Sequence, residues 1–361
     1  MDESALGNRD KRGFWRPNKK LNYGPVLVWP FKVWVFLKWL FGYPGFIFPW
    51  NAGYVAITVI AWFYLTPSIE TMSTLSIDWM ALVFLRNVAL TIIIVSAWYF
   101  FLYMKKTQST EFKYNKRWPQ DNKSSIFMFK SQTLDSIFWT FASGVPIWTL
   151  YETLMLWLYS SGKIPWIDAS MHPIWFVVLM FLTPVIHEIH FYFAHRLTHV
   201  KFLYKWVHYL HHRNVNTGPW SGLSMHPVEH IIYFSTVLIH FIIPSHPLHM
   251  IFHIQRTGLA AIHGHSGFDK IMLNKHRAKL PHASYFHYLH HKYFECNYGE
   301  LWMPLDKWFG SFHNGSKEDD ERLENNIMCF LANSRHLPKQ KFHVNRPISF
   351  QYLLLIPSLL Q

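Results

Sequence analysis

The stretch 172–199, HPIWFVVLMFLTPVIHEIHFYFAHRLTH, runs an apolar block of membrane-spanning length into two histidines four residues apart, His195 and His199. Such a block reads as a transmembrane helix, and one helical turn between the two rings places both on one face. Working outward, HYLHH occurs twice, as His208/His211/His212 and His287/His290/His291, where positions i, i+3 and i+4 again share a face. Of 24 histidines, 21 fall between His187 and His313, so one region carries the chemistry. Imidazole is a neutral ligand suited to iron and zinc, and these eight rings are enough for two ions. Further candidates lie between the boxes: His226 and His230 in HPVEH, His263 and His265 in HGHSG.

Composition sets the class. Half of the 361 residues are hydrophobic, 15% are charged and 19% are aromatic, with apolar residues in long blocks, as in a polytopic membrane protein. The net charge of +13 sits beside those blocks, where it meets lipid headgroups and sets topology, and is not read as a nucleic-acid surface. Cys296 and Cys329 form no CxxC, which leaves a disulfide framework or cysteine-based zinc site without support. The basic start, residues 1–24, has no signal-type apolar stretch, so no cleaved signal is expected. Residues 25–50 suit an interfacial helix, and spans are expected at 49–66, 79–104, 134–159 and 172–194. The N-terminus and the 105–130 loop are rich in Lys and Arg while the intervening loops are not, which places both on the cytoplasmic side and returns the chain there at about residue 195. The stretch 231–253 reads as a re-entrant hairpin, a membrane-lying helix or a span pair; a single metal centre requires an even number of crossings there.

The ordered series HRLTH, HYLHH, HPVEH, HGHSG, HYLHH, then Asn297-Tyr298-Gly299 and DKWFGS at 306–311, resembles the fatty acid hydroxylase/sterol desaturase superfamily of membrane oxygenases over residues 180–315. The resemblance implies an all-α integral membrane fold of about four transmembrane helices with a cytosolic histidine-rich helical cap. It also implies a dinuclear centre of two iron ions, with zinc possible on purification, and attack by O2 on C–H or C=C positions of a lipid. By position, His195, His199, His208, His211, His212, His287, His290 and His291 match the ligand boxes, His265 the small intervening motif, and His226 a recurrent His-Pro of the sterol-type branch. The chain departs from many relatives in Leu305-Asp306, in closing on FGS, and in the run His187-Glu188-Ile189-His190, where Glu188 is a candidate to orient a ligand imidazole or part of a polar helix face.

The expected organisation is a basic and interfacial segment (1–48), a transmembrane region (49–180), a catalytic region (181–315) and a polar tail (316–361) opening on KEDDER. The substrate is then a bilayer lipid of sterol, isoprenoid or sphingoid type, hydroxylated, desaturated or epoxidised. No thiolate or HPGG haem signature is present, so electrons are expected from a separate carrier of cytochrome b5 or ferredoxin type. The membrane would be the endoplasmic reticulum in a eukaryote or the inner membrane in a bacterium, with the site facing the cytoplasm. The competing readings are a histidine-rich metal transporter, which would place ligands at mid-membrane on broken helices, and a di-haem carrier, which needs histidine pairs rather than triplets. The bland readings are hydrogen-bonded interface roles for His230, His240, His246, His249 and His253, a turn at Tyr298-Gly299, and pairing between helices for Arg86, Asp135 and Glu152.

Overall fold

The computed structural model describes residues 3–333 except 123, 274–278 and 283; the last part of the expected tail lies outside these. The protein is mostly helical, with two small antiparallel hairpins, Gly7–Arg9 with Trp15–Pro17 and Lys270–Met272 with Lys279–Pro281. Helix α1 (Val33–Phe41) buries none of its residues, and Trp29, Trp34 and Phe41 around it are exposed, which fits the interfacial segment expected there.

Among the described residues three helices are long and apolar enough to cross a membrane: Ile47–Tyr64, which contains α2 (Ala52–Tyr64); Ile77–Met104, which contains α3 (Ile77–Tyr99); and Pro173–Thr198, here α4. Helix α3 starts where the Ser76 hydroxyl accepts the Asp78 N–H, with the Asp78 carboxylate favourably placed in the first turn. The third expected span forms a continuous helical rod over 132–160 but is not in that set. Its interior carries Asp135, Thr140, Ser143, Thr149, Glu152 and Thr153, all buried against neighbouring helices instead of facing lipid. The chief brace is an ion pair across the bundle. Arg86 of α3 donates to Glu152 at 2.5 Å, and the Asn87 amide donates to the second Glu152 oxygen at 2.9 Å and to Thr149 at 3.1 Å. Asp135 accepts from Arg213 at 2.5 Å. Pairing thus accounts for Arg86, Asp135 and Glu152, as charges away from water require.

The stretch that sequence left open is a hairpin. Helix α5 (Pro227–Phe234) continues as a tight turn over Ser235–Phe241, and the chain returns as α6 (Pro247–Gly264). The Tyr233 hydroxyl donates to the Thr257 carbonyl at 2.7 Å, pairing the two arms. Trp175 Nε1 donates to the Pro244 carbonyl at 2.9 Å, and the Tyr159 and Ser245 hydroxyls lie 2.6 Å apart, which sets the tip beside the loop between the third rod and α4. The hairpin therefore leaves the histidine end, reaches the far end of the bundle and comes back. Pro247 opens α6, and the rings of His246 and His249 reciprocally accept N–H groups of its first turn. His240 and His253 contact each other at 3.2 Å, and His249 donates to the Phe176 carbonyl at 2.8 Å; both are hydrogen-bonded packing roles.

KEDDER, expected as a solvated segment, opens the helix Lys317–Asn333. Its acidic first turn suits a helix N-terminus, and Asp320 pairs with Arg16 of the N-terminal hairpin.

Glu152→Leu should leave the buried Arg86 without its counter-charge, with the Thr66 and Asn87 side-chain oxygens as its remaining acceptors, and destabilise the protein by about 3–5 kcal/mol. Arg86→Met/Glu152→Met should recover most of that loss in thermal unfolding of the detergent-solubilised protein.

Candidate metal centre

Four elements bring the boxes together. His195 and His199 end α4; His208 closes the wide turn Tyr204–His208, which runs into the short helix carrying His211 and His212; His265 caps α6; and helix α7 (Tyr285–Tyr293) carries His287, His290 and His291. Ser284 caps α7 by accepting the His287 N–H at 3.3 Å. The chain then reverses sharply through Phe294 and Asn297, both at positive φ.

The nine rings fall into two groups whose ligand atoms lie within 4.8 Å of one another: His195, His199, His208, His212 and His290 in one, His211, His265, His287 and His291 in the other. Each HYLHH box serves both. The i and i+4 rings of the first box enter the first group and its i+3 ring the second; the second box does the reverse.

Proton bookkeeping decides what these groups fit. Carbonyl oxygens only accept, so Nδ1 of His265, bonded at 2.6 Å to the Ala261 carbonyl, and Nδ1 of His211, at 3.3 Å from that of Ser224, both carry their protons. Their Nε2 atoms are then lone pairs, yet they face each other at 3.1 Å. The same holds for His195, whose Nδ1–H donates to the Tyr298 carbonyl at 2.7 Å, and His290, whose Nδ1–H donates to that of Cys296 at 2.7 Å. His290 Nε2 lies 2.9 Å from His212 Nε2, and His265 Nε2 also meets those of His291 and His287 at 3.0 and 2.9 Å. Opposed lone pairs at this spacing repel unless a cation lies between them, and fixing the tautomer through Nδ1 is how proteins orient imidazole ligands. Burial pushes His199, His208, His211, His212, His287, His290 and His291 well below the usual imidazole range and takes His265 down to about 4, so the rings are neutral at neutral pH. Neutral, converging and all-nitrogen, the donor set fits iron or zinc.

Residues 176–311 match the fatty acid hydroxylase family model. This segment belongs to the fatty acid hydroxylase/sterol desaturase superfamily. Similar proteins include a Delta(7)-sterol 5(6)-desaturase of Gibberella zeae, 29% identical over 143 residues (38% of this chain, 42% of the relative), and a putative Delta(7)-sterol-C5(6)-desaturase of Arabidopsis thaliana, 30% identical over 188 residues (50% and 65%). Methylsterol monooxygenase 1 of Gallus gallus is 30% identical over 142 residues (38% and 48%). The chain thus spans about half the length of these curated relatives. No solved structure matches it.

Against the superfamily pattern, His226 is the site residue that is not brought in. It stands outside both groups, and its Nδ1 accepts the Val228 N–H at 3.2 Å, capping α5. His230 meets the Ser143 hydroxyl at 3.0 Å, and His263 meets that of Tyr54 at 3.3 Å. Glu188 touches no histidine of the groups: its oxygens accept the backbone N–H groups of Glu300 and Met303 at 3.2 and 2.7 Å. It steadies the 298–303 loop instead. Asp306 acts on the same loop, accepting the N–H groups of Tyr298 and Gly299 at 2.8 and 2.9 Å, which explains why DKWFGS follows Asn297-Tyr298-Gly299. That loop presents the carbonyl holding His195. Cys296 contributes its carbonyl, not its buried thiol; the side chain of Cys329 lies outside the described residues.

The residue that sequence reasoning passed over is Glu229, whose carboxylate accepts from His208 Nδ1 at 2.7 Å. It stands inside HPVEH, three positions after His226, so its letter was in view. Burial pushes the Glu229 carboxyl up, and a cation beyond the His208 ring would offset that.

Glu229→Gln should weaken metal retention by about 10–100-fold in competition with a chelator. A pH dependence follows as well. The unfolded chain protonates these histidines below about pH 6.5 while the folded one does not, so acid favours unfolding. Thermal unfolding of the chelator-treated protein should therefore show the midpoint rising from pH 5 to pH 7 and levelling above it.

Proposed function

We propose that this membrane protein is a di-iron oxygenase that hydroxylates or desaturates a lipid of sterol, isoprenoid or sphingoid type, using O2 and electrons from a separate cytochrome b5- or ferredoxin-type carrier. The observation that carries the reading is the junction of the two histidine groups with a cavity of about 620 Å³, lined by His195, His208, His211, His265 and His287 at one end and by Trp39, Phe46 and Trp302 elsewhere. This volume and mixed apolar lining suit a lipid-sized ligand.

The first group would hold one iron and the second the other. Bound there, the pair would supply oxygen reduction and removal of hydrogen from an unactivated carbon. The chain's own residues do the rest. The Ala261, Ser224, Tyr298 and Cys296 carbonyls and the Glu229 carboxylate keep the proton on Nδ1 of His265, His211, His195, His290 and His208 and aim those rings inward. Phe191 stacks on His195 with centroids 5.0 Å apart, placing an apolar wall against the first group. Apolar walls exclude water and orient a hydrocarbon over the rings.

A cytoplasmic site is supported by packing. The basic N-terminal segment and the basic loop lie against the histidine end: Arg9 donates to the Thr110 and Lys113 carbonyls at 2.6 and 2.9 Å, and Tyr114 stacks on Tyr288 of α7 with centroids 4.7 Å apart. Segments rich in Lys and Arg stay in the cytoplasm.

Elemental analysis of the purified protein should give about two irons per chain, lost in His208→Ala/His211→Ala/His212→Ala. Wild-type protein without tightly bound metal, or a variant that keeps it, would sink the reading.

A further inference from the structure

The cavity has a second polar station. Arg256 of α6 lines it and is 3% exposed. Two arms of its guanidinium are committed: Nε donates to the Asn51 side-chain oxygen Oδ1 at 3.2 Å, and Nη2 donates to the Glu300 carboxylate at 2.9 Å. Glu300 is held in turn by Trp302 Nε1 at 2.6 Å, and Asn51 donates to the Phe46 carbonyl at 2.7 Å. Nη1 is buried and has no partner among the described residues. A buried N–H of a charged group without an acceptor carries a desolvation cost that an incoming oxygen would relieve. The planar fork, clamped at two corners, aims this third donor without further loss of side-chain freedom.

We propose that Arg256 is a specificity-determining residue that anchors the polar end of the lipid, its Nη1 donating a hydrogen bond to a neutral oxygen, a hydroxyl or a carbonyl. The inference rests on the oxygenase reading for what happens at the far end of the same cavity. Glu300 already neutralises the guanidinium, so the site offers a directed donor rather than net positive charge, and a carboxylate or phosphate gains little there. Helix α6 also fixes how far the anchor stands from the chemistry. The His265 ring is tethered to the Ala261 carbonyl, and Arg256 precedes Ala261 by five residues, about 7 Å of helix rise, with side chains leaning further toward the N-terminus. The anchored oxygen and the oxidised carbon are therefore several bonds apart in the substrate, not on neighbouring atoms.

The test uses the full chain in detergent and competition against tritiated hexadecan-1-ol, with affinities corrected for partition into micelles. In wild type, hexadecan-1-ol and hexadecanal should each compete at least about tenfold better than hexadecane, the value of one hydrogen bond to a charged donor. Hexadecanoate should compete no better than the alcohol. In Arg256→Met/Glu300→Gln, which removes both partners of the ion pair, the preference for the alcohol should fall to within about twofold while hexadecane binds as before. A merely structural role for Arg256 would weaken all the probes alike. Equal binding of alcohol and alkane by wild type overturns the proposal even if the variant does not fold, tighter binding of hexadecanoate overturns the neutral-oxygen assignment, and a preference that survives in the variant removes Arg256 from the role. None of these readings needs iron or turnover, so iron content measured on the same samples reports separately on the oxygenase reading.

Discussion

Converging imidazole nitrogens some 3 Å apart, which at His211 and His265 face one another as lone pairs, are the constraint around which the histidine end of this protein is built. Such an array is repulsive by itself, and it persists because five of its rings, His195, His208, His211, His265 and His290, are held from behind. The holders come from distant parts of the chain: Ala261 at the end of a helix that returns from the far side of the bundle, Ser224 and Glu229 before and inside that hairpin, Tyr298 and Cys296 in the loop after the last box. Removing one of these elements frees a ring to turn its proton inward.

The transmembrane region serves the same end by fixing where those elements start. The buried pair Arg86 with Glu152 locks α3 to the third rod, and the close approach of Gly222 to the Ala261 carbonyl, where an added Cβ would sit 2.5 Å away, seats α6 beside the turn that leads to Ser224. The histidine boxes of this chain therefore depend on residues that no box contains. Glu188 of α4 and Asp306 of the helical turn Leu305–Trp308 illustrate this: both spend their carboxylates on backbone N–H groups of the 298–303 loop, so that one carbonyl points at His195.

Much of this was legible. Apolar blocks announce helices because lipid permits little else, and histidines at i, i+3 and i+4 announce ligands because few other needs gather so many imidazoles on one face. The count of spans was harder. The 132–160 rod satisfies its polar side chains against neighbouring helices, so hydropathy alone misjudges what it faces. Likewise, 227–264 is long enough for a span, a pair or a hairpin, and only the requirement that His265 meet His211 selects the return. His226 was misplaced because motif position carries no information about whether a ring nitrogen is already engaged in capping a helix. The carbonyl holders leave no trace in sequence, since every residue has one.

The way the two HYLHH boxes interleave has a consequence for how the centre assembles. Because each box helix contributes rings to both groups, ordering either helix around one cation also sets donors for the other. A first ion would bear the entropic cost of fixing both helices and a second would find its donors in place, so occupancy should run toward zero or two with little of the half-filled form. Cooperativity of this kind needs no change in shape. A substitution that spoils one box therefore impairs both groups at once.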